Sequence, residues 1–267
     1  METLVFLTYP FLACVMLIFI HTYFGVHMLE RGIIFVDLSL AQFIGLGIAI
    51  SFLMGLGHGG SYLFSVGFAV LGAAILSLSR YIARITNIEA FIGVLYIFSL
   101  SAGILVLSRS AHGMEEFKAI LSGNILWLAP GDIIYSFLLY CIIGGVHFVF
   151  RRRFFELTRE GRGGFIWEFI FFLSFAFVLV SSVKLGGILL VFAMLVIPAL
   201  IGRLYTKVPG AVLLCGWLVG VVVSIFGLAL SYYYDLPTSP LIILFLSVVF
   251  FVLLLLKGIK GGRQVVL

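Results

Sequence analysis

Apolar stretches close to 20 residues long recur from one end of this chain to the other. A helix of about 20 residues crosses a hydrocarbon core about 30 Å thick, with its backbone N–H and C=O groups paired internally. The stretches are continuously apolar and lack the period-two alternation of barrel strands, so helices are expected throughout. Of the 267 residues, 63% are hydrophobic and only 10% charged, against about 25% charged in an ordinary soluble domain. That leaves too little polar surface to coat a water-soluble globule. The fold class is therefore all-α, a polytopic transmembrane helical bundle read as a single domain over 1–267.

Nine spans are predicted, at 5–27, 33–54, 62–79, 89–107, 132–150, 165–182, 185–202, 210–231 and 240–256. The pair within 165–202 admits re-division, so the count is eight or nine. The connections 108–131 and 151–164 are too short for a core of their own. No Lys or Arg occurs in the first 30 residues, so 1–27 reads as a retained first span and not a cleaved signal. Cys14, Cys141 and Cys215 fall inside apolar spans, far apart and without a CxxC, and read as small packed side chains.

Charge sets the orientation. With the C-terminus cytoplasmic, 13 of the 16 basic residues lie inside, leaving Arg109, Lys118 and Lys184 outside. An odd number of spans then puts the N-terminus outside. The net charge of +5 is accounted for by these loops and calls for no nucleic-acid partner.

Ionisable groups inside spans are costly, so each marks a candidate site. Asp37 lies at the inner end of the second span, with Ala41 one turn above it, Gln42 beside that, and Gly45 and Gly47 loosening the helix beyond. A carboxylate facing a pore could bind a divalent cation; the competing use is pairing with Arg31 or Arg84, or capping a broken helix. Glu89 follows Asn87 in what reads as an N-cap with an acidic first turn, the structural use being favoured over metal binding. His21, mid-span, is either a ligand or, as favoured, a hydrogen-bonded core histidine. His112, Glu115 and Glu116 share the loop at 108–131, either drawing in cations or simply solvated. No two histidines stand at i, i+4, so no preformed zinc site is visible.

Two further features stand out. Residues Arg151 to Arg162 form a cationic segment interrupted by Phe154 and Phe155. A short amphipathic helix docking on a cytoplasmic partner would use those aromatics as anchors; a helix lying in the headgroup layer would also carry them. Pro198, within Leu195-Val196-Ile197-Pro198-Ala199, is expected to kink or break its span. There is no Gly-Lys dipeptide and hence no P-loop, no HExxH and no GxSxG. The chain is not read as an enzyme and no bound cofactor is expected; any ATP would be hydrolysed by another subunit.

At these residues the chain resembles the permeases of bacterial zinc, manganese and iron ATP-binding-cassette importers. The resemblance is carried in order by Met28–Gly47 with Arg31 and Asp37, by Glu89-Ala90-Phe91-Ile92-Gly93-Val94, by Leu121-Ser122-Gly123-Asn124-Ile125-Leu126, by Gly187 to Ala199, and by Asp235-Leu236-Pro237-Thr238. It implies a type II importer permease-like bundle in the bacterial cytoplasmic membrane, working as a homodimer. Each copy would dock on an ATPase and receive a divalent metal ion, the transported substrate, from an extracytoplasmic binding protein. It also implies that about 154–162 is the coupling helix, with Phe154, Phe155, Glu156 and Arg159 facing the ATPase. Many members carry Asp-x-x-x-His where this chain has Asp37 and Ala41. Without that His, either the ion is harder and oxygen-loving, or ligands come from elsewhere, or the pore binds only weakly in transit. The alternative function is an ion-coupled secondary transporter, which would show mid-membrane acidic sites and an inverted repeat.

Overall fold

The structure is a computed structural model that describes residues 2–56, 58–109, 113–123, 125–159 and 164–262. His112, Asn124, the residues 160–162 of the predicted coupling segment, and Arg263 lie outside the described residues. Eleven α-helices follow one another: α1 Glu2–Arg31, α2 Val36–Leu53, α3 His58–Ser77, α4 Ser79–Ile82, α5 Ile88–Leu107, α6 Gly113–Ser122, α7 Pro130–Val149, α8 Arg151–Arg159, α9 Gly164–Tyr205, α10 Pro209–Tyr234 and α11 Thr238–Gly262. Among the described residues eight of them are long and apolar enough to cross a membrane. Their starts follow local chemistry. Pro130 and Pro209 open α7 and α10, where a missing N–H costs nothing. Asn87 accepts from the Ala90 amide at 3.0 Å and caps α5.

At 42 residues α9 is too long for one pass, and its backbone is non-helical at Gly187 (φ 77°, ψ 163°). The chain reverses there. Along its first arm, 164–186, Glu168 meets Arg31 and Phe175 meets Phe24, so α1 runs antiparallel to it. Along the second arm, 188–205, α1 runs parallel: Leu17 touches Gly186, while Gly25 packs on Leu195 and Ala199. The last turn of α8, just before α9, and the far end of α9 also converge on Glu30, which pairs with Arg159 at 3.4 Å and Arg203 at 3.3 Å. Eight apolar helices therefore make nine passes.

The reversal falls at Gly187 and not at 183–184, where the sequence reading left its gap. Only glycine takes a positive φ freely, and a Cβ there would lie 2.3 Å from the Gly123 amide nitrogen. Lys184, which falls in that gap, stays helical and pairs with Asp132 at 2.7 Å. The two arms of α9 form the centre of the bundle, packed by α1, α3, α10 and α11. α2, apolar and buried on nearly every side, sits between α3, α5 and the second arm. One end of the bundle gathers Arg31, Arg80, Arg151, Arg159, Arg203 and Lys257, and will be called the arginine-rich end.

Candidate functional site

Asp37 lies in the first turn of α2, where the helix N-terminus favours a carboxylate. It is 1% exposed, and its buried Oδ1 meets no hydrogen-bond donor among the described residues. The competing partner Arg31 is occupied by Glu168, at 2.6 Å. Ala41 and Gln42 are buried one turn on, and Gly45 faces Ile120 at the end of α6, Gln42 Oε1 and Ile188. This face of α2 thus leads from the carboxylate toward the Gly187 reversal.

Glu89 adjoins the start of α2. Its Oε1 accepts the Phe35 amide at 3.1 Å, two residues before Asp37, while its Oε2 is buried without a hydrogen-bond partner among the described residues. Two neighbouring helices therefore each present a carboxylate with one unpartnered oxygen at the arginine-rich end. His21 belongs elsewhere. Its Nδ1 bonds the Leu17 carbonyl at 2.9 Å, on the α1 face that packs on the second arm of α9. Among the described residues no group of three or more His, Cys, Asp or Glu side chains is gathered to hold a metal.

The helix-breaking residues expected at Gly45, Gly47 and Pro198 break nothing. α2 is continuous through both glycines, and the non-helical residue in α9 is Gly187. Gly47 instead permits close approach, since a Cβ there would lie 2.7 Å from the Phe64 carbonyl. Pro198 is buried inside the second arm, its carbonyl against Gly216, where neighbouring helices tolerate the lost bond.

At the opposite end a cavity of about 880 Å³ opens between α2, α3, α6, α7 and the first arm of α9. Its polar lining includes Glu115, Asp132, Tyr135, Ser136, Ser181 and Lys184. Within the lining Ser136 bonds Ser181, and one turn on Tyr140 bonds Ser182, each at 2.6 Å. Sequence reading overlooked these hydroxyls because Ser and Tyr are ordinary inside apolar helices. Their i, i+4 spacing at 136 and 140 was the available signal.

The cationic segment forms α8, and its two aromatics point apart. Phe154 is fully buried, stacked on His147 and edge-on to Trp167. Phe155 is 42% exposed, with Arg159 stacked over its ring at 4.4 Å. Glu156 is half-buried and pairs with Arg153 at 3.6 Å. Thr158 Oγ1 and His27 Nδ1 share a hydrogen bond at 2.7 Å, and Arg80 donates to the Leu157 carbonyl at 3.2 Å. Arg80, half-buried, also bonds Glu168, completing an Arg31–Glu168–Arg80 triad around a buried carboxylate, with Arg31 packed over Phe171 and Phe172. Neither Arg80 nor Glu168 was singled out from sequence. Phe154 thus anchors α8 to its own bundle, leaving Phe155, Glu156 and Arg159 facing outward.

A nine-pass bundle with a buried acidic site and a short helix held against one end defines a multi-pass transport permease. Residues 3–257 match the ABC 3 transport family, and the chain belongs to that family. It is 24% identical over 244 residues to the manganese transport system membrane protein MntC of Listeria monocytogenes, covering 89% of this chain and 85% of that one. It is 25% identical over 238 residues to the chelated iron transport system membrane protein YfeC of Yersinia pestis, covering 85% and 78%. The fold is that of PsaBC from Streptococcus pneumoniae solved in complex with Fab, with a TM-score of 0.75, 21% identity and coverage of 93% and 90%. The ion-coupled secondary transporter is set aside by this membership.

Proposed function

We propose that the chain passes manganous or ferrous ions across the bacterial cytoplasmic membrane as one of two permease copies, driven by a separate ATPase. The observation that carries this reading is the buried Asp37, whose Oδ1 has no donor among the described residues and whose neighbour at the start of α5 is a second half-satisfied carboxylate, Glu89. An intramembrane carboxylate without a partner is a strong marker of use. Ala41 and Gln42 supply no imidazole, so the path offers oxygen ligands, which suit manganese and iron(II) better than zinc. The relatives named for manganese and chelated iron transport support the same class of ion. The ion would be delivered by an extracytoplasmic binding protein into the cavity beside α6, and would leave past Asp37.

The arginine-rich end faces the cytoplasm in this reading, as positive-inside charge bias favours, with the C-terminus on that side. Phe155, Glu156 and Arg159 of α8 would then meet the ATPase, with Phe154 fixing α8 beneath them. The test is Asp37→Asn, which keeps size and hydrogen-bonding capacity but removes the charge. Uptake of manganese and iron should fall at least tenfold, while assembly with the ATPase and basal ATP hydrolysis persist. Normal uptake by the variant would make Asp37 structural and refute the proposed path.

A further inference from the structure

A second concavity, of about 490 Å³, lies between α1 and α7, away from the acidic site. Its α7 wall is the single helical face Phe137, Cys141, Gly144 and Phe148, and the line ends on Arg151 at the start of α8. From Phe137 to Arg151 this line is about 20 Å long at 1.5 Å per residue. The floor is notched at Gly144, where a Cβ would meet nothing within 4 Å. Trp217 of α10 flanks the groove, stacked on Phe19 with ring centroids 4.4 Å apart.

The two ends differ in charge. Along its length the groove is apolar, but Arg151 sits over the Phe148 ring at 5.2 Å, exposed and followed by the exposed Arg152 and Arg153. A second copy seated here about a two-fold axis along the membrane normal would bring both sets of three arginines together at one depth, with Glu156 offsetting Arg153 alone. An anionic headgroup neutralises them instead, and basic pockets between spans hold such headgroups. We infer that the groove binds one acyl chain of an anionic phospholipid, with its phosphate on Arg151 and the neighbouring arginines. The occupant would rest against Tyr23 and His147, which are bonded to each other at 2.9 Å, and His147 carries the ring of Phe154. Lipid thereby supports α8 from behind.

The full-length permease carrying Trp127→Phe and Trp167→Phe keeps Trp217 as its single reporter. In mixed vesicles, brominated phosphatidylglycerol should quench Trp217 with about fivefold preference over brominated phosphatidylcholine, the factor one arginine at a membrane surface supplies. Arg151→Gln should bring that preference toward one, and Gly144→Leu should weaken quenching by both lipids. The unaltered chain, released gently from native membranes, should retain phosphatidylglycerol in native mass spectra. Equal quenching by the two lipids, or retention of zwitterionic lipid alone, would overturn the site. So would a Cys141–Cys141 disulfide in the Cys14→Ser, Cys215→Ser protein, because it assigns the groove to a second copy.

Discussion

The imidazole of His147 and the ring of Phe154 are stacked, with centroids 4.0 Å apart and planes 5° from parallel. The contact fixes α8 to α7, while His27 and Arg80 hold the next turn of α8 from α1 and α4. Three helices therefore set the position of a nine-residue one. Phe154→Ala should destabilise the permease by about 3–5 kcal/mol, as emptying a buried aromatic site does. Phe155→Ala should leave the melting midpoint unchanged yet weaken binding of the ATPase by about 2 kcal/mol, or roughly thirtyfold in Kd. Thermal unfolding and pull-down of the ATPase separate the two; if both variants lose stability alike, α8 has no docking face.

Glu168 is 1% exposed and neutralises two arginines from different helices. Glu168→Gln removes the carboxylate that Arg31 and Arg80 share, and for the buried Arg31 the loss of its ion-pair partner is worth about 3–5 kcal/mol. The purified variant should melt several degrees lower and be cut faster by trypsin at Arg153. An unchanged midpoint would mean that water already carries the charge.

Gly187→Ala combines a left-handed backbone with a Cβ 2.3 Å from the Gly123 amide. It should abolish folded protein in size-exclusion chromatography. Gly186→Ala is the control, since its Cβ would meet the movable Leu190 side chain at 3.0 Å. Equal yields of the two variants would contradict a reversal at Gly187.

That reversal also has a topological readout independent of orientation. In a cysteine-free background, Arg152→Cys and Val208→Cys should react with an impermeant maleimide from the same side of the membrane, and Tyr233→Cys from the other. The proposed orientation, drawn from positive-inside charge, expects the first two to react from the cytoplasm. Reaction of Arg152→Cys and Val208→Cys from opposite sides would make α9 a single pass.

The bundle was legible because membrane spans are written in local composition, and a run such as 89–107 needs no partner to be recognised. The charged residue Asp37 was legible for the same reason, being rare at such depth. The cavity at α6 was not, because its hydroxyls come from separate helices and acquire meaning only together. Phe154 and Phe155 show the same limit within two residues. Their place among charges marked both as anchors, but which one turns inward depends on His147 and Trp167, brought in from elsewhere in the chain. Pro198 drew the expected break away from Gly187 because proline carries the louder local signal, whereas tertiary packing absorbs its missing bond.

The Arg31–Glu168 bridge spans 137 positions of sequence. During synthesis α1 therefore enters the bilayer well before either arm of α9 exists. Until then its guanidinium lacks its counter-charge and the packing surface around His21 and Thr22 has no mate. Closure of so long a loop is slow relative to local helix formation. The bundle thus matures around its central hairpin late in translation, and a chain halted before residue 205 leaves the first span as a natural quality-control target.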